Sequence, residues 1–99
     1  MNKPERVAFR LEFDPYMKVD KVLACFPDEE TNPGRLACLS MWFDGNGMVW
    51  FEPWGDCVIP YYWECKPLKD VDLARKCKEA LETRYDCKLR IVKRIMWGK

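Results

Sequence analysis

Ninety-nine residues, 48% apolar and 14% aromatic, make a single domain (1–99) able to bury a core, and they exclude a disordered chain. A net charge of +1 is small for a protein that holds nucleic acid mainly by charge. No apolar run reaches the length of a membrane span, and Met1 to Glu5 lacks the apolar stretch of a secretory signal, so a cytoplasmic setting is expected.

The charge is uneven. Up to Tyr62 there are six basic and ten acidic residues, a balance of −4; from Trp63 onward eleven basic and six acidic residues give +5. Such polarity orients a partner.

Glu5 to Phe13 alternates, with Val7, Phe9, Leu11 and Phe13 on one side and Arg6, Ala8, Arg10 and Glu12 on the other. That pattern predicts a half-buried strand. Lys21 to Phe26 reads as a second strand ended by Pro27, followed by an acidic loop from Asp28 to Gly34. Arg35 to Phe43 is the longest apolar run and predicts a central strand covered on both faces. Asp44-Gly45-Asn46-Gly47 is a strong hairpin turn, with Met48 to Phe51 as the returning arm. After the break Glu52 to Asp56, the stretch Cys57 to Cys65 reads as another strand.

The clearest signal is the helix. Asp70 is suited to the N-cap, Asp72 complements the first turn, and Leu73, Ala74, Cys77, Ala80, Leu81 and Tyr85 form one apolar stripe. At Asp86 the period changes to two, with Cys87, Leu89 and Ile91 alternating with Lys88 and Arg90. A final strand follows, either parallel to the Cys57–Cys65 strand or beside the first. The fold class is therefore α+β: a mostly antiparallel sheet of four to five strands, order β-β-β-β-(β)-α-β, with one helix over about 70–85 packed on one face.

Six cysteines (25, 38, 57, 65, 77 and 87) fall mostly within apolar stretches and read as reduced, buried thiols. Cys57 and Cys65 are the pair least suited to being inert. Catalysis finds little support: there is no histidine and no Cys-x-x-Cys spacing, and Gly45 and Gly47 open no helix that would cradle phosphate. The residues imply no catalytic group, no metal and no cofactor.

Trp42, Phe43, Trp50, Phe51 and Trp54 fall within thirteen residues around the turn. One reading has them filling the core. The other has some of them anchoring a protein partner, because a strand hides only alternate side chains and adjacent rings must point to opposite faces. Asp44, Glu52 and Asp56 give this loop an acidic rim suited to a basic partner surface. Lys88, Arg90, Arg94 and Lys99 form a basic stripe on the last strand, which either guards a sheet edge or, with Tyr61 and Tyr62, meets single-stranded nucleic acid. An uncovered apolar sheet face also suits a homodimer.

Lys21-Val-Leu-Ala-Cys-Phe-Pro-Asp28, Tyr62-Trp-Glu-Cys-Lys-Pro67 and Tyr85-Asp-Cys-Lys-Leu-Arg-Ile-Val-Lys-Arg94 resemble segments of short uncharacterised proteins encoded on phages and conjugative elements of gut bacteria. Many of those carry a Gly-Gln-His-Ser segment where this chain has Asp44 to Gly55 and no histidine. The resemblance implies an accessory protein of a phage or mobile element, a class that includes inhibitors of host defence such as anti-CRISPR proteins. It carries over no catalytic residue. The expectation that follows is a non-enzymatic, protein-binding accessory protein. Single-stranded nucleic-acid binding is the alternative, and an unrecognised enzyme or a purely structural domain is a further one.

Overall fold

Alternation along the first strand sorts its side chains between two separate cores, and the rest of the chain is laid down on either side of it. The computed structural model describes residues 4–14, 16, 19–93 and 95; Arg94 and Lys99 of the basic stripe lie outside them. The elements are β1 (Arg6–Asp14), β2 (Val19–Asn32), β3 (Arg35–Phe43), β4 (Val49–Phe51), β5 (Gly55–Val58), α1 (Ile59–Glu64), β6 (Lys66–Pro67), α2 (Val71–Tyr85) and β7 (Arg90–Ile91). The fold is α+β with one main helix, as the sequence predicts. The sheet has seven strands rather than four or five, in the order β4-β3-β2-β1-β6, with β5 beside β3 and β7 beside β1. The strand not anticipated is β6, two residues and too short to show a period, while β5 and β7 are short remnants of expected strands.

Strands β1, β2 and β3 form an antiparallel meander in which Ala8 faces Cys25 and Cys25 faces Cys38. Pro27 does not end β2. Having no N–H to give the ladder, it lies where the β2–β3 register shifts, and pairing resumes at Glu30 opposite Leu36 and Asn32 opposite Arg35. The expected acidic loop is thus mostly strand, closed by Gly34 at φ +77°. The turn at Asp44 forms as expected, with Gly47 at φ +80° and Trp42 opposite Trp50. Strand β7 joins β1 in parallel, the second of the two placements the sequence left open. Its alternation is incomplete: Cys87 and Leu89 pack on the helix side, but Ile91 is 40% exposed.

Helix α2 keeps its expected bounds. The Asp70 carboxylate accepts from the Leu73 N–H at 3.0 Å, and Asp86 ends the helix in the left-handed region at φ 51°. Cys77 and Leu81 are sealed against Val7, Phe9, Val22, Ala24, Phe26, Leu39 and Met41.

The largest departure is on the opposite face. The segment expected to be a strand from Cys57 to Cys65 pairs only as far as Val58 and then turns into α1. Pro60 explains this: it cannot continue a ladder, and its fixed φ suits the first helical turn. Helix α1 drops Tyr62 into a second core with Ala8, Leu23, Cys25, Leu36, Cys38, Cys57, Cys65 and Ile95. The Tyr62 hydroxyl accepts from the Ile95 N–H at 3.2 Å, and Arg10 donates to the Tyr62 carbonyl at 3.1 Å. A single helix therefore does not shield half of a bare sheet; a short helix and the C-terminal segment cover part of the other side.

Candidate functional site

The aromatic residues around the hairpin divide as a strand requires. Phe43 and Phe51 pack toward α2, where Lys76 and Arg84 sit 5.6 and 4.5 Å from their ring centres. Trp54 belongs to the same side, its ring 5.0 Å from Phe26 and 5.3 Å from Tyr85, and is 36% exposed. Trp42 and Trp50 lie on the opposite face, stacked at 6.4 Å with 12° between their planes. Trp50 is 52% exposed, the largest exposure among the residues expected to anchor a partner. Asp44 fixes it: one carboxylate oxygen accepts from the Asn46 and Met48 N–H groups, and the other accepts from the Trp50 indole N–H at 2.9 Å. These donors, the indole first, hold the Asp44 carboxyl below its usual range.

Beside this aromatic shelf is an open cavity of about 410 Å³, lined by Glu12, Lys21, Cys38, Ser40, Glu52 and Tyr61 among others. Lys21 joins the two features, since its ammonium lies 5.0 Å from the Trp42 ring centre and donates to Glu52. Glu12 accepts hydrogen bonds from the Ser40 hydroxyl on one oxygen and the Tyr61 hydroxyl on the other. Burial pushes the Glu12 carboxyl above its ordinary value; the Ser40 bond works against this and nearby Glu52 adds to it. The cavity can thus offer hydroxyls, a carboxyl that holds its proton to higher pH, and an ammonium already paired.

Behind the cavity lies a layer of thiols. Cys25 and Cys38 are direct partners across β2 and β3, and Cys57 packs in the same core cluster. Donation to Cys57, together with burial, raises the Cys25 and Cys38 thiols, while accepting from Cys25 and then Cys38 lowers Cys57. Burial pushes Cys65 up to about 11 and Cys77 up to about 12. No disulfide joins the six cysteines, and all but Cys87 are buried. Among the described residues, no group of three or more metal-ligating side chains could hold a metal ion.

The basic stripe is not joined to the aromatic residues. Lys88 and Arg90 are exposed, but Arg90 pairs with Arg6 at the start of β1, whereas Tyr61 bonds Glu12 near its end. Six strand residues, roughly 20 Å, separate the two. Tyr62 is fully buried, which corrects its placement on a stacking surface. Sequence reasoning missed Glu12, Lys21, Ser40 and the gathering of Cys25, Cys38 and Cys57 in one core cluster. The signal for Glu12 and Arg10 was their shared face on β1, which was read as the solvated one.

These features define a class: a small α+β sheet protein with a polar cavity and a fixed tryptophan shelf on the face away from its long helix. No family model, curated protein or solved structure matches the chain. No helix among the described residues is long and apolar enough to cross a membrane.

Proposed function

We propose that this chain is a non-enzymatic binding module that captures a protein partner on the Trp42–Trp50 shelf and the adjoining cavity. The observation that carries this reading is the state of Trp50: a large ring left half in solvent yet held in one orientation by Asp44 and Trp42. A prearranged aromatic ring loses little freedom on binding, and tryptophan dominates the energetics of many interfaces. Glu12, Glu52 and Asp44 against the single Lys21 favour a basic partner surface. The resemblance to mobile-element proteins supports a bacterial host protein as the target, with inhibition of a defence system such as a CRISPR effector as the outcome.

The test is quantitative capture of one identified partner by wild type and by Trp50→Ala. Loss of a central anchor of at least about 2 kcal/mol weakens binding roughly thirtyfold, while the urea midpoint of the free protein stays near wild type. Undiminished capture by Trp50→Ala refutes the reading. Affinity that collapses with added salt, whatever residue 50 is, indicates phosphate contacts instead.

A further inference from the structure

Hydrogen bonds within the cavity beside the shelf spend its donors and leave its acceptors open. Ser40 and Tyr61 each give a hydroxyl proton to Glu12, one to either carboxylate oxygen, so both hydroxyl oxygens keep lone pairs for a donor from outside. Lys21 donates to Glu52 and has its ammonium over the Trp42 ring. Among the described residues no cation forms an ion pair with Glu12. The lining therefore sets two carboxyl groups against one ammonium, and that ammonium is already paired. An open cavity of about 410 Å³ with such a lining is suited to a cation that brings several donors of its own.

We propose that this cavity receives the side chain of one lysine of the protein partner, its ammonium accepted by Glu12 and by the Ser40 and Tyr61 hydroxyl oxygens. The assignment rests on the reading that the Trp42–Trp50 shelf captures a protein, and it names the group that gives that capture its charge selectivity. Lysine suits the lining better than arginine. Both Glu12 oxygens already accept a hydroxyl, so the planar fork of a guanidinium finds no open carboxylate edge to grip in bidentate fashion. A compact ammonium carries three donors on one atom and can address the oxygens of three different groups at once. Leu23 and Pro53 line the same cavity and offer apolar contact to the methylenes of the lysine stem.

The test titrates the isotope-labelled full chain with three blocked amino acids and follows amide shifts by NMR: N-acetyl-lysine methylamide, the same compound acetylated on its side-chain nitrogen, and N-acetyl-arginine methylamide. The lysine compound is expected to bind in the millimolar range and to shift the amides of Ser40, Glu52 and Tyr61. Acetylation removes the charge and should weaken binding at least about tenfold. Glu12→Gln keeps the shape of the side chain without its charge and should weaken the lysine compound by a similar factor of about ten. Equal binding of the charged and acetylated compounds overturns the proposal, as do shifts confined to other surfaces and arginine binding as tight as lysine. The comparison of compounds is made on the wild type, so it decides the matter even if the variant fails to fold. A folded Glu12→Gln protein with undiminished affinity for the lysine compound also overturns it. Failure of the lysine compound to bind, with partner capture still lost in Trp50→Ala, removes the cavity assignment and keeps the shelf. Binding of the lysine compound with capture undiminished in Trp50→Ala supports the cavity and refutes the shelf.

Discussion

If the second core is as much a part of the fold as the first, truncating Tyr62 should be about as damaging as removing a central core residue. Tyr62 is the largest of the fully buried side chains, and it lies on the face that sequence periodicity leaves bare. Cutting a buried aromatic ring back to alanine costs about 3–5 kcal/mol. Losing the hydroxyl strands the Ile95 N–H, which adds about 1–3 kcal/mol. Against a total stability of about 5–15 kcal/mol for a domain of this kind, Tyr62→Ala should be partly or wholly unfolded at 37 °C. Tyr62→Phe keeps the ring and its edge-on contact with Trp63 at 5.0 Å. It should lose only the hydrogen-bond share, lowering Tm by roughly 4–8 °C for each kcal/mol. Urea unfolding followed by far-UV circular dichroism measures both, with an unchanged m value showing that the same surface unfolds. Should Tyr62→Ala stay within about 1 kcal/mol of wild type, α1 is an ornament rather than a lid, and the two-core account fails.

Two further outcomes follow from single groups. Because the folded-state pKa of Glu12 lies above its ordinary 4.5, the folded protein binds more protons than the unfolded chain between those two values. Stability attributable to Glu12 therefore falls as pH rises through that window. The wild-type stability curve should descend relative to that of Glu12→Gln there, and parallel curves from denaturant titrations at several pH values would refute the assignment. Asp70→Ala removes the cap on the Leu73 N–H and should cost about 1 kcal/mol, read as a lower urea midpoint; Asp70→Asn should recover most of it.

Where one periodicity governs a segment, the sequence is legible. The stripe from Leu73 to Tyr85, the cap at Asp70, the run from Arg35 to Phe43 and the hairpin at Asp44 all form with the expected bounds, because each is fixed by local spacing and turn chemistry. The opposed orientations of Phe43 and Trp42, and of Phe51 and Trp50, follow from the same rule. Failure came where one residue redirects the chain. Pro60 turns a β-rich run into α1, and Pro27 shifts a register instead of ending a strand. The cavity and the thiol cluster were illegible for another reason. Glu12, Lys21 and Ser40 come from β1, β2 and β3, and Cys25, Cys38 and Cys57 from β2, β3 and β5, so only the sheet order makes them neighbours.

The short segments that finish the sheet decide how another molecule can approach. Strands β4 and β5 beside β3, and β6 and β7 beside β1, are two to four residues long and interrupted by loops or helices. None offers the extended run of unpaired amides that a visiting peptide needs in order to join as an extra strand. A partner of the kind proposed would therefore land broadside on a face, with its selectivity set by side chains rather than by main-chain lacing.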